Sequence, residues 1–135
     1  MSILKVDAIV TKTASGSIDL TSPIINSGGE RTNAIGSVGG GTQDIDVSLG
    51  GSVVATVDTS TTTFTFSNPA ASDDMSSFVL ALTNGGSQTV NWPASVDWAA
   101  ATAPTLTTSG VDILTFVTFD GGTIWNGAVA IADAS

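Results

Sequence analysis

Residues 111–131 read VDILTFVTFDGGTIWNGAVAI, and the fold class turns on how this stretch is interpreted. Val111 to Phe119 is almost continuously apolar and rich in β-branched side chains, the pattern of a central strand covered on both faces. Asp120-Gly121-Gly122 then supplies a turn, and Trp125, Val129 and Ile131 share one parity in the segment that follows. The stretch reads as two strands joined by a tight reversal.

The same grammar runs backwards through the chain. In DIDVSLGG, Ile45, Val47 and Leu49 alternate with Asp44, Asp46 and Ser48, the period of a half-buried strand. SVVATV follows the Gly50-Gly51 turn. TTTFTFS alternates Phe64 and Phe66 with Thr63 and Thr65 and stops at Asn68-Pro69. SSFVLALT places Phe78, Leu80 and Leu82 on one face, and Asn84-Gly85-Gly86 turns into QTVNW. No segment carries a helical period. The expected fold is all-β, an antiparallel β-sandwich or jelly roll spanning residues 43–135 and preceded by an extended N-terminal arm.

The arm and its connector occupy residues 1–42. ILKVDAIVTKTASGSIDL suggests two short strands about a turn at Ser15-Gly16, and NSGGERTNAIGSVGGGTQ is glycine-rich with few large side chains, as a flexible connector would be. The arm carries Ile3, Leu4, Val6, Ile9 and Val10 with little of its own to pack on, so docking on another chain or back on the domain is expected.

Composition narrows the chemistry. With 135 residues the chain suits one core. Three basic residues, Lys5, Lys12 and Arg31, face twelve acidic ones, for a net charge of −9. All three lie in the first 31 positions, and the acidic remainder would repel both phosphate backbones and anionic lipid, so neither nucleic acid nor membrane is an expected partner. Cysteine and histidine are absent, which removes disulfides, thiolate nucleophiles and the commonest general base and metal ligand. The opening MSILKVDAIV is too short and interrupted for a signal peptide, and no run approaches a membrane span.

DIDVSLGGSVVATVDTSTTTFTFSNP, together with FVLALTNGGSQTVNWPASVDWAAATAPTLTTSGVDILTFVTFDGGTIWNG, resembles a β-module of tailed-bacteriophage virion proteins over residues 43–127. The opening LKVDAI is similar to N-terminal segments of some cyanophage and marine-phage structural proteins. The resemblance implies a virion part without enzymatic activity, commonly trimeric, located in capsid decoration, head fibres or tail fibres. Lacking a long repetitive shaft and a separate tip, the chain fits a compact capsid decoration (cement) protein that binds the major capsid protein as a homotrimer. In that role Ile3, Leu4, Lys5, Val6, Ile9, Lys12 and Arg31 are the expected partner contacts. The alternative is a short tail or head fibre that binds host glycan.

Candidate sites divide along the same line. Trp92 and Trp98, in NWPASVDW, serve either as filling for the sandwich or as an aromatic platform for a sugar. Trp92 shares parity with Val90, and Trp125 with Val129, which favours filling. Trp98, in a small-residue loop, is the candidate for an exposed ligand contact. Asp44 and Asp46 read as a solvated strand face, and Asp73-Asp74 as a loop pair without EF-hand spacing. GSVGGGTQ lacks the Gly-Lys-Ser/Thr ending of a phosphate loop. No nucleophile elbow is present, and a Ser–Lys dyad would need an arm lysine. No catalytic residue, cofactor or metal is expected.

Overall fold

A computed structural model describes residues 31–134. In chain order its strands are β1 (Thr32–Val38), β2 (Gly41–Asp46), β3 (Ser52–Val57), β4 (Thr62–Ser67), β5 (Ser72–Thr83), β6 (Val90–Asn91), β7 (Val96–Trp98), β8 (Val111–Asp120) and β9 (Trp125–Ile131). Three short 3₁₀ turns, and no α-helix, accompany them among the described residues. The all-β expectation holds. The strands form a six-stranded sheet in the order β1-β3-β5-β8-β9-β7 and a three-stranded sheet in the order β2-β4-β6.

The antiparallel expectation holds for two of the seven pairings among the described strands, the reversal at Asp120-Gly121-Gly122 included, and fails for the other five. β1 with β3, β3 with β5, β2 with β4, β4 with β6, and β7 with β9 are all parallel. Only β5 with β8 and β8 with β9 run antiparallel. The reason is in the path of the chain. It alternates between sheets, β1 to β2, β3 to β4, β5 to β6, so the strand in one sheet serves as the crossover between two parallel strands of the other. Gly50-Gly51, read as a turn, is a corner between the two sheets. Three coils are stacked this way. Thr32 pairs with Ser52 and Gly41 with Thr62, a rise of 20–21 residues per coil, and Ser52 then pairs with Val79 and Thr62 with Val90.

Two further readings change. The described part of the glycine-rich stretch expected as a connector contributes β1 and the start of β2: Gly36 sits at a bulge, Gly39-Gly40 between the two strands, and Ile35 and Val38 pack on the core. Gly36, at φ 85°, lies where the β1–β3 register slips between Ala34 and Gly36. Val38, two residues on, is buried. The strand opening at Asp44 also ends sooner than its alternation suggests. Val47–Leu49 is a 3₁₀ turn capped by Asp46, whose carboxylate accepts the Ser48 N–H at 3.0 Å and its hydroxyl at 2.6 Å. These donors hold the Asp46 carboxyl below its ordinary range.

Both sheets feed one core. Val53, Ala55, Val57, Phe78, Leu80, Leu82, Leu114, Phe116 and Trp125 come from the larger sheet, Ile45 and Phe64 from the smaller. Each large apolar side chain sealed there contributes about 1.5–3 kcal/mol. A carboxylate sits at the end of this core. Asp112, 1% exposed, accepts the Thr107 N–H and hydroxyl, both at 2.7 Å, and the Asp133 N–H at 3.1 Å. Burial pushes its pKa up, but those three donors outweigh it, and the net shift is downward. One residue thus ties the loop before β8 and the segment after β9 to the sheet.

Candidate functional site

The tryptophans belong to an aromatic cluster that joins the two sheets. Phe64 stacks on Trp92 at 5.4 Å and 19°, and Trp92 meets Trp98 edge-on at 5.4 Å and 65°. Trp98 also packs against Phe116 at 5.5 Å, while Phe66 touches Phe78, Phe116 and Trp125 at 4.9–5.4 Å. Trp125 is buried, and Trp92 and Trp98 are half-buried. Gly127 makes room for Trp98: a Cβ there would lie 2.8 Å from the indole ring. The two indoles of NWPASVDW are therefore neither coplanar nor both open to water, and a flat sugar platform built from the pair is not what the geometry offers.

The acidic side chains are used locally. Asp44 accepts the Thr65 hydroxyl at 2.7 Å across the β2–β4 pair. Asp120 accepts the Ile124 N–H at 3.0 Å and the Thr118 hydroxyl at 2.8 Å, and its carboxyl is held below the ordinary range by these bonds. Asp73 and Asp74 lie in a bulge of β5, between Ser72 and Ser76, with Asp73 at φ 80°. Among the described residues no cluster of three or more acidic, histidine or cysteine side chains is placed to hold a metal. Asp112 and Asp120 were not singled out from sequence. Their signal was present all the same: each sits at one end of the apolar run 111–119, where a carboxylate must find local donors.

The arm contacts are mostly out of view. Ile3, Leu4, Lys5, Val6, Ile9 and Lys12 lie outside the described residues, as do the two short strands expected there. Arg31 is exposed and lines an open groove with Thr32, Asn33, Ala34 and Leu49, at the outer edge of β1.

What the sequence did not anticipate is the bare second face of β8. The even-numbered residues Asp112, Leu114, Phe116 and Thr118 are buried, but Ile113, Thr115 and Val117 turn outward and are only half covered. No described residue forms a second layer over them. Val79 opposes Thr115, Ala81 opposes Ile113, and Ala128 opposes Thr115 from the other side. Val54 adjoins Ala81 through β3. Val79 is 43% exposed, Val54 37% and Ile131 54%. An open groove lined by Gly51, Ser77, Val79, Thr115 and Val117 crosses this face. On β3, β8 and β9, and on β5 from Ser76 onward, the outward strand positions carry no charged side chain short of Asp120; Asp73 and Asp74 stand exposed in the β5 bulge beyond them. Asp97, exposed, is on the short edge strand β7.

Fold and surface together define a class: a two-sheet all-β chain with stacked parallel coils, an aromatic core, and a water-facing sheet surface with an uncharged centre. Comparison with known protein families, with curated proteins and with solved structures finds no match for this chain.

Proposed function

We propose that this chain is a structural protein that works by assembling, and that its setting is a phage virion, where it decorates the capsid as a homotrimer. The observation that carries the reading is the uncharged patch on the outer face of β3, β5 from Ser76 onward, β8 and β9. Soluble monomers rarely leave a contiguous apolar surface bare, and such surfaces mark contacts. The occupant we assign is a second copy of the chain. Copies that each carry a net charge of −9 repel one another. They approach most favourably through the part of that face, on β3, β5 from Ser76 onward, β8 and β9, that carries no charge. We read the two-sheet body as a β-sandwich with a solenoid-like stack of coils, rigid enough to present that face flat.

The virion setting rests on the resemblance of residues 43–127 and on the placement of Lys5 and Lys12 ahead of an acidic body. In this reading the leading residues, with Ile3, Leu4, Val6 and Ile9, contact the major capsid protein, and many such weak contacts stabilise the shell by mass action. Neither chemistry nor a cofactor is required of any residue.

Native mass spectrometry of the full chain tests the assembly step. Trimers are expected for the parent and monomers for Thr115→Glu, which places a charge at the centre of the face. A monomeric parent defeats the reading. Deleting residues 2–11 is expected to leave the trimer intact and to reduce occupancy of undecorated shells at least tenfold; undiminished occupancy would remove the leading segment as the anchor.

A further inference from the structure

Two patches border the uncharged part of the outer face on different sides, and they differ in charge. The first crosses the sheet at the Asp120 end. Ser76 pairs with Thr118 and Val117 with Asn126, so Met75, Phe119 and Ile124 come next on β5, on β8 and just ahead of β9. They keep the outward parity of Ser77, Val117 and Asn126 and form one row across the strands. Met75 and Phe119 are each 61% exposed and Ile124 is 48% exposed. Single exposed apolar side chains are ordinary on a protein surface, whereas a row of them across adjacent strands marks a contact. The strand ends around the row are acidic: Asp73 and Asp74 stand exposed in the β5 bulge, and Asp120 closes β8.

The second patch lies along the β1 edge, beyond β3. There Leu49, 57% exposed, and Arg31 line a groove with the first residues of β1. Arg31 is the one basic residue of the chain that falls among the described residues. One patch is therefore apolar with carboxylates, and the other apolar with a guanidinium.

We infer that the Met75–Phe119–Ile124 row of one copy seats against the Arg31–Leu49 groove of the next. The inference rests on the homotrimer already proposed and states how that trimer closes. A twofold dimer sets one patch against itself, but a ring of three is head-to-tail, so each copy gives one surface to one neighbour and a different surface to the other. Row against row would set Asp73, Asp74 and Asp120 against their own copies, and like charges so placed oppose association. Row against groove brings carboxylates to a guanidinium, whose planar fork suits them, and buries Met75 and Phe119 against Leu49. The uncharged centre of the face supplies area, and the two unlike patches decide which side meets which.

Charge reversal in the full chain tests the pairing. Arg31→Glu and Asp74→Lys are each expected to raise the concentration at which half the chain is trimeric by about tenfold or more in native mass spectrometry, and the double variant to recover most of that loss. Asp74 is preferred to Asp73, whose φ of 80° a lysine would adopt only under strain. Phe119→Ser is expected to weaken the trimer by a similar factor while leaving the urea midpoint of the monomeric Thr115→Glu background unchanged, because the side chain is exposed. A trimeric parent whose single variants associate as it does, or whose double variant is no better than the weaker single one, overturns the inference and leaves the trimer standing. Recovery seen instead in the urea stability of the Thr115→Glu monomer would join Arg31 to Asp74 within one chain and overturn it too. A monomeric parent removes the trimer itself, and the inference with it.

Discussion

Along β5, Phe78, Leu80 and Leu82 are sealed from water, while Ser77, Val79 and Ala81 of the same strand turn the other way and meet solvent. β8 repeats the division, with Leu114 and Phe116 inside and Ile113, Thr115 and Val117 outside. Both faces are apolar, yet they differ in kind. The inner one is large and aromatic and interlocks with the second sheet. The outer one is made of small and β-branched residues. Large interlocking side chains specify one fold of one chain, whereas an exposed uncharged surface of small residues specifies little within the chain and is free to meet another.

The largest effect is expected on the inner face. Phe116 touches Phe66, Phe78, Trp92 and Trp98. Phe116→Ala leaves a cavity at that crossing and should cost about 3–5 kcal/mol, read as a lower midpoint in urea unfolding of the monomeric Thr115→Glu background. A cost under about 1 kcal/mol would show that the cluster is not what joins the sheets.

Next comes the carboxylate at the end of that face. Asp112→Asn replaces an acceptor of three bonds by an amide that cannot accept them all, at about 2–3 kcal/mol. The sign of the pH dependence follows from the lowered pKa. The stability Asp112 contributes is fully present above the unfolded carboxyl value of about 3.9 and is lost as pH falls through the lower, folded value. The parent should therefore lose stability more steeply below about pH 4 than Asp112→Asn does, in thermal melts at constant ionic strength.

Much of this division was legible in the sequence, and the reason is that alternation is a local property. Ile45, Phe64, Phe78, Leu80 and Leu82 were each placed on an inward face by parity with their neighbours, and each is buried. Strand order is not local. A Gly-Gly corner such as Gly50-Gly51 looks the same whether the chain turns back beside itself or crosses to the other sheet, so five parallel pairings stayed hidden. The apolar run 111–119 was a fair signal of cover on both sides. That the described chain supplies cover on one side alone is knowledge only the structure brings. For the site, the tryptophan parity pointed correctly to packing, whereas the outer face had no motif to announce it. It is recognised by the absence of charge across four strands that are distant in sequence.

A smaller effect of opposite sign is expected in the smaller sheet. Thr62, on β4, is fully buried, and its hydroxyl has no hydrogen-bond partner. Its backbone N–H already bonds to Thr89 O at 3.0 Å, so the side chain is not needed for the ladder. Thr62→Val keeps the shape and removes the stranded hydroxyl, and a gain of about 1 kcal/mol in chemical unfolding is the expected result. A loss would mean that the hydroxyl is satisfied in solution, by water.

The smallest effect on the single chain is expected where the effect on assembly is greatest. Thr115→Glu lies between Val79 and Ala128 on the outer face and displaces nothing from the core. Measured on the monomer, it should change stability by less than about 1 kcal/mol, the span of β-propensity at an exposed strand site. The same substitution in each protomer of a trimer brings three carboxylates into a surface that has no cation to meet them, so association should fail. The contrast with Phe116→Ala is the point of the pair. One change weakens the fold itself and so cannot report cleanly on contacts between copies, while the other leaves the fold intact and removes only its neighbours. If Thr115→Glu instead cost several kcal/mol in the isolated chain, the outer face would be a covered surface of the monomer, and the distinction between the two faces would disappear.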